Sequence, residues 1–159
     1  MSVADRMAIF EDGRIRQVGT PADIYNRPNS RYVAELIGSP PMKFVDGTFA
    51  DGQFTAAQEN VTISIDGVTE SGAMTLAIRP EDIEIRGSDQ PGIDAKVYEV
   101  EPLGAFTIVD IIIGEKIVKV QVAGQPEFEL GSAVRLFLDP LNCHLFDGAS
   151  GDVIAHAKQ

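Results

Sequence analysis

The stretch Gln17-Val18-Gly19-Thr20-Pro21-Ala22-Asp23-Ile24-Tyr25-Asn26-Arg27-Pro28-Asn29-Ser30-Arg31-Tyr32-Val33-Ala34-Glu35-Leu36-Ile37-Gly38-Ser39-Pro40-Pro41-Met42-Lys43-Phe44 divides the chain into two textures. Thr20 has the side chain of a helix N-cap. Pro21 suits the first helical position, with its fixed φ and missing N–H, and Asp23 completes a short capping box at the positive helix end. A helix is predicted to start there. Pro28 disfavours its continuation and Ser30 offers a second cap. Gly38 and the Pro40-Pro41 pair end a second helix, on which Tyr32, Val33, Leu36 and Ile37 are expected to share one apolar face. The stretch reads as a joint, with a boundary between 1–38 and 39–159.

Upstream of the joint, Met7-Ala8-Ile9-Phe10, the turn Glu11-Asp12-Gly13 and the alternating Arg14-Ile15-Arg16-Gln17-Val18 predict a β-hairpin. Its first strand is apolar on both sides, as in a strand that joins a larger buried sheet. The region from Met1 to about Ile37 is therefore expected to pack in a second copy, to fold onto the β region, or to be poorly ordered. Exposed edge backbone and an uncovered apolar helix face both favour self-association.

Downstream the pattern is β throughout. Phe44–Phe49 and Gln53–Ala56 flank the turn Ala50-Asp51-Gly52, Val61–Ile65 alternates, and Met74–Ile78 and Ile83–Ile85 flank Arg79-Pro80-Glu81-Asp82. Further strands are predicted at Ile93–Val100, Phe106–Ile113, Ile117–Val122, Val134–Leu138 and Cys143–Phe146. Short strands at such spacing, parted by Gly, Pro and Asp, predict a mainly β barrel or paired barrels. Thr107-Ile108-Val109-Asp110-Ile111-Ile112-Ile113 has too few polar breaks for a half-exposed strand. Phe106, Ile108, Ile111 and Ile113 are thus candidates for a strand buried against another barrel or a second subunit.

The chain has 159 residues, enough for one domain with an appendage. Its 24 acidic against 13 basic residues, a formal net charge of -11, would repel a phosphate backbone. An OB-type nucleic-acid binder would also need aromatics clustered with Lys or Arg, and none are. No window approaches the roughly 20 apolar residues of a membrane span, and no signal-peptide core opens the chain. The lone Cys143 makes no internal disulfide and has no ligand-spaced neighbours for zinc.

Candidate chemistry is sparse. No Gly-Lys pair occurs, so the phosphate-cradling Gly-x-x-x-x-Gly-Lys-Ser/Thr loop is missing and no catalytic residue is assigned. Arg79 and Glu81 lie in the densest charged turn. Arg79 either grips a carboxylate or phosphate ligand by its planar fork or pairs with a nearby acid in a structural turn. Arg31 and Phe44 flank the joint and are candidates for docking the helices onto the barrel, against the alternative of a solvated cation and a core aromatic. His144 and His156 have no second ligand at helical or hairpin spacing and are read as structural or surface histidines. Glu81-Asp82 and Glu99 with Glu101 are read as solvated acids rather than a hydrolase pair, there being no tryptophan platform for sugar.

Several phrases also resemble a known family. Ala4-Asp5-Arg6-Met7, Asp12-Gly13-Arg14-Ile15, Gln17-Val18-Gly19-Thr20-Pro21, Ile24-Tyr25, Pro28 and Ile37-Gly38-Ser39-Pro40 resemble the end of the ATP-binding domain of ABC importer ATPases of the maltose, sugar and glycerol-phosphate type. Leu76-Ala77-Ile78-Arg79-Pro80-Glu81-Asp82, Val100-Glu101-Pro102-Leu103-Gly104 and Cys143-His144-Leu145-Phe146-Asp147 resemble its C-terminal OB-type (TOBE) regulatory domain, in order. The family's Leu-Ser-Gly-Gly-Gln phrase is absent. The resemblance implies a regulatory and dimerising module that does no catalysis. It places ATP and Mg, with the remainder of the nucleotide-binding domain, upstream of Met1, and no cofactor in this chain. It further implies a homodimer, membrane-subunit partners at the cytoplasmic face of the inner membrane, and a cytosolic regulatory protein as a further candidate partner. The substrate, a sugar or related solute, would be chosen by other subunits. The alternative is a barrel that senses an oxyanion or sugar phosphate.

Overall fold

A computed structural model of the chain describes residues 5–157. Ala4 of the first quoted phrase, and the part of the N-terminal expectation that falls on residues 1–4, lie outside the described residues. Strands β1 (Met7–Glu11) and β2 (Arg14–Gly19) pair as the expected hairpin around Asp12 and Gly13, both at positive φ. Helix α1 (Pro21–Asn26) opens on a complete capping box, in which the Thr20 side chain accepts from the Asp23 N–H and Asp23 returns to the Thr20 N–H. Helix α2 (Arg31–Leu36) is capped by Ser30. Helices of six residues are far too short to persist alone, so their packing must hold them.

That packing is partly against the β1–β2 hairpin and partly onto the β region. Ile9, Ile24 and Val33 form one buried cluster with Met7 and Ile37 against it. Ala34 joins Met42, Ala77 and Phe146 in a second cluster, on the sheet. The expected helical face is corrected here: Val33 and Ala34 are the buried pair of α2, whereas Tyr32 and Leu36 are 37% and 56% exposed. The small Ala34 lets the helix lie close on the sheet, and this turns Tyr32 and Leu36 outward.

The rest is antiparallel β. A six-stranded sheet has the order β13-β12-β6-β3-β4-β5, built from β3 (Lys43–Ala50), β4 (Gln53–Ala56), β5 (Val61–Ser64), β6 (Gly72–Ile78), β12 (His144–Asp147) and β13 (Val153–Ala155). A five-stranded sheet has the order β10-β9-β8-β11-β7, from β7 (Ile83–Gly87), β8 (Ile93–Pro102), β9 (Phe106–Ile113), β10 (Lys116–Ala123) and β11 (Ala133–Leu138). Strand β10 reaches the turn before β7 and β7 itself, which curls this sheet toward a half-barrel. The fold is mainly β, as predicted, and the two sheets share one core that includes Phe49, Phe54, Leu76, Val109, Ile111 and Leu136.

The chain crosses between sheets twice, each time through a 3-10 turn that begins with proline: Pro80–Asp82 going out and Pro140–Asn142 coming back. Ile78-Arg79-Pro80-Glu81-Asp82-Ile83 and Leu138-Asp139-Pro140-Leu141-Asn142-Cys143 are therefore equivalent corners. They differ at the residue before proline. Asp139 caps its own turn by accepting from the Leu141 N–H, whereas Arg79 makes no side-chain cap and points away.

Candidate functional site

Arg79 directly follows β6 and is 3% exposed. Its guanidinium donates to the carbonyl of Tyr25 at 2.6 Å and to that of Ile37 at 2.6 Å, and lies 3.7 Å from the centre of the Tyr25 ring. These carbonyls belong to the last turn of α1 and the C-cap of α2, where helical C=O groups have no partner within their own helix. One cation thus satisfies the ends of both helices. The expected carboxylate partner is corrected: Arg79 makes its hydrogen bonds to backbone carbonyls, because the joint lies on the corner and places the helix-end carbonyls within its reach. Gly38 makes this reach feasible, since a Cβ there would sit 2.6 Å from Arg79 Nη1 and its φ is +120°.

The same corner holds Tyr25 from its other end. The Tyr25 hydroxyl donates to the Glu81 carboxylate. Burial, and then this hydrogen bond, push the phenol up to about 12. Burial, and then the neighbouring Glu81 charge, raise Asp82 above the ordinary carboxylate range. A polar hollow of about 280 Å³ opens here, lined by Tyr25, Asn26, Arg79, Glu81, Asp82 and His144.

A second tie lies on the far side of α2. Arg31 donates to Glu35 at 2.8 Å, to Asp46 at 3.0 Å and to the Thr75 hydroxyl at 3.3 Å, with its guanidinium 5.2 Å from the centre of the Phe44 ring. Asp46 also accepts from Thr75 at 2.6 Å. The structure therefore brings Arg31 and Phe44 together, and Phe44 rests in turn against Phe146 at 6.5 Å. A third tie comes from the C-terminal hairpin: Arg31 N–H donates to Gly151 O, Val153 N–H to Asn29 O, and the Arg16 guanidinium to Asp152.

His144 and His156 require a further correction. Strand β13, absent from the sequence reading, pairs with β12 at Leu145 and Ala155, so the two rings meet edge to face at 5.7 Å. They are neighbours at hairpin spacing after all. Burial, then His156 and Arg79, hold His144 down at about 4, so it is neutral and its Nδ1 accepts from the Ala157 N–H. Cys143 is buried too, its thiol pushed up to about 12 by desolvation. Among the described residues no cluster of three or more His, Cys, Asp or Glu could hold a metal ion.

The candidate strand β9 divides by face. Ile111 is fully buried in the core shared with the six-stranded sheet, and Ile113, partly buried, packs against that core. Phe106 and Ile108 lie on the opposite, outer face with Ile112; they pair across to Ala123, Gln121 and Ile117 of β10. Tyr25 was missed as a site residue. Its one signal in the sequence is an aromatic placed in the last turn of a helix that ends just before a proline.

The chain matches the TOBE domain family over residues 76–146. These bounds enclose both corner turns and the whole five-stranded sheet. It is 34% identical over 169 residues to the xylose/arabinose import ATP-binding protein XacK of Haloferax volcanii, covering 99% of this chain and 44% of the relative. It is 34% identical to the ABC transporter ATP-binding protein y4oS of Sinorhizobium fredii, covering 98% and 42%, and 30% identical to YcjV of Escherichia coli, covering 92% and 43%. The chain thus spans somewhat under half the length of the curated relatives it matches. Among the described residues no helix is long and apolar enough to cross a membrane.

Proposed function

Since this chain carries a TOBE domain and belongs with the ATP-binding proteins of ABC transporters, we propose that it is the regulatory and dimerising part of an importer's ATPase subunit. The observation that supports this most is the joint. Arg79 and Glu81 on one side, and Arg31 with Asp46, Thr75 and Phe44 on the other, tie both helices to the six-stranded sheet. A lever fixed at two points turns with the sheet rather than sliding over it. Motion of the helices in an ATP-driven cycle would thereby be passed to the β region, and contacts made there would act back on the cycle.

In this reading the chain does no bond chemistry. ATP and Mg are handled by the rest of the parent subunit, which works as a homodimer against membrane subunits at the cytoplasmic face, and a cytosolic regulatory protein is a further candidate partner. The cargo is a sugar or related small solute, in line with the xylose and arabinose in the name of the Haloferax relative. Sedimentation of the chain at micromolar concentration tests the dimer: a concentration-dependent shift toward twice 17.1 kDa is expected, and a clean monomer counts against it. A second reading rests on the polar hollow beside Arg79, which offers donors and acceptors to an oxyanion or sugar phosphate. Thermal-shift titration with sugars, sugar phosphates, molybdate and sulfate separates the two, because only a bound ligand stabilises the fold by mass action.

A further inference from the structure

At one end of the shared core the two sheets do not close on each other. They leave an apolar cavity of about 250 Å³, with Val45, Val61 and Ile78 on one side and Ile113, Val118 and Leu136 on the other. The charged residues on its lining are Lys43, Glu59 and Lys116, and the Lys116 side chain is 57% exposed, which marks this group as the mouth. Lys116 pairs with Glu59 across that mouth, joining β10 to the turn between β4 and β5. Lys43 is less committed. The one hydrogen bond of its ammonium among the described residues is a 3.5 Å contact to the Ile117 carbonyl, at the limit of such a bond, and an ammonium has three donors.

These features define a ligand class. An aliphatic lining gives up dispersion contacts as long as the space is empty, and water gains nothing there without polar partners. The same lining offers no group to satisfy the hydroxyls of a sugar, which would be costly to bury. Two ammonium groups against one carboxylate leave the mouth one positive charge in excess, on a chain whose formal net charge is -11. We propose that the cavity binds a small amphipathic monoanion, a straight-chain aliphatic carboxylate, with the tail between the sheets. The head meets Lys43, and Lys116 is shared with Glu59. An apolar cavity of about 150 Å³ accepts a benzene-sized guest, so this one accommodates a tail of about eight carbons. The site adjoins the end of the joint, with Lys43 and Phe44 on its lining, but does not depend on the transporter reading.

Calorimetric titration of the 159-residue chain with straight-chain carboxylates of increasing length tests it. Affinity is expected to rise about fourfold per methylene and to level off beyond about eight carbons, when the cavity is full. Lys43→Met, a change at the mouth, is expected to weaken octanoate binding about tenfold or more and to leave octanol binding unchanged. Methyl resonances of Ile113 and Val118 should shift on saturation. Val61→Phe should fill the cavity and abolish binding; should that variant fail to fold, the chain-length break and the Lys43→Met comparison still decide. Absence of saturable octanoate binding overturns the proposal. So does affinity that keeps climbing with length, as for adsorption on a surface, or an equal loss of octanol in Lys43→Met.

Discussion

Arg79 shows how one side chain can be fixed by what surrounds it rather than by an ion partner. Removing it leaves the Tyr25 and Ile37 carbonyls without their donors, so Arg79→Ala is expected to cost about 2–4 kcal/mol in urea unfolding. Arg79→Lys should recover less than half, because an ammonium neither forks to two carbonyls nor stacks on Tyr25 in the same pose. An Arg79→Ala variant as stable as the parent would show that the joint is held elsewhere. His144 gives the pH dependence. Its imidazole titrates near 4 in the fold against 6.5 when unfolded, so between those values the unfolded chain binds the extra proton. Stability therefore falls as pH drops through that window, by up to about 3 kcal/mol from this group, and His156, also lowered by burial, acts in the same direction. Asp82, raised by burial, works the opposite way. Thermal melts from neutral pH down to about pH 4.5 should show a shallower decline in His144→Gln than in the parent. Parallel curves would mean that the ring is already charged in the fold.

At the scale of elements, strand patterning was legible because turns chosen from Gly, Pro and Asp punctuate runs of β-branched residues. What could not be read were relations between elements. The Arg79 partner lies 54 residues away on a helix, and no local pattern encodes that meeting. Strand β13 has three residues, too few for alternation to show, and with it went the His144 and His156 contact. The buried face of α2 does not follow apolar size, since Val33 and Ala34 are its buried pair. Alanine, which carries little hydrophobic weight, is the residue that lets the helix seat on the sheet. Gly47 is a similar case. It lies within β3, where a Cβ would come 2.4 Å from the Thr55 carbonyl and 2.6 Å from the Phe54 ring as β4 folds over the strand. Gly47→Ala must push backbone apart, and a loss of about 1–3 kcal/mol is expected by chemical denaturation. A neutral result would mean that β4 can shift at little cost.

For the molecule as a whole, charge and apolar surface oppose each other in any self-association. The outer face of the five-stranded sheet carries Phe106, Ile112 and Ile117 beside the Asp110–Lys119 pair, Ile108 on that face being only 7% exposed, and Glu99 and Glu101 sit opposite Asp110 and Ile108 on β8. The hairpin and α2 add the exposed Phe10, Ile15, Val18 and Leu36. Apolar contact through either surface would have to overcome repulsion between two chains of formal net charge -11. Salt shortens the reach of that repulsion from about 30 Å at 0.01 M to about 3 Å at 1 M, while leaving burial of apolar area nearly untouched. Sedimentation equilibrium across this range is therefore expected to show tighter association as salt rises. Association that weakens with salt would mean that complementary ion pairs, not apolar strands, hold the copies together, and would move the interface away from the β9–β10 face.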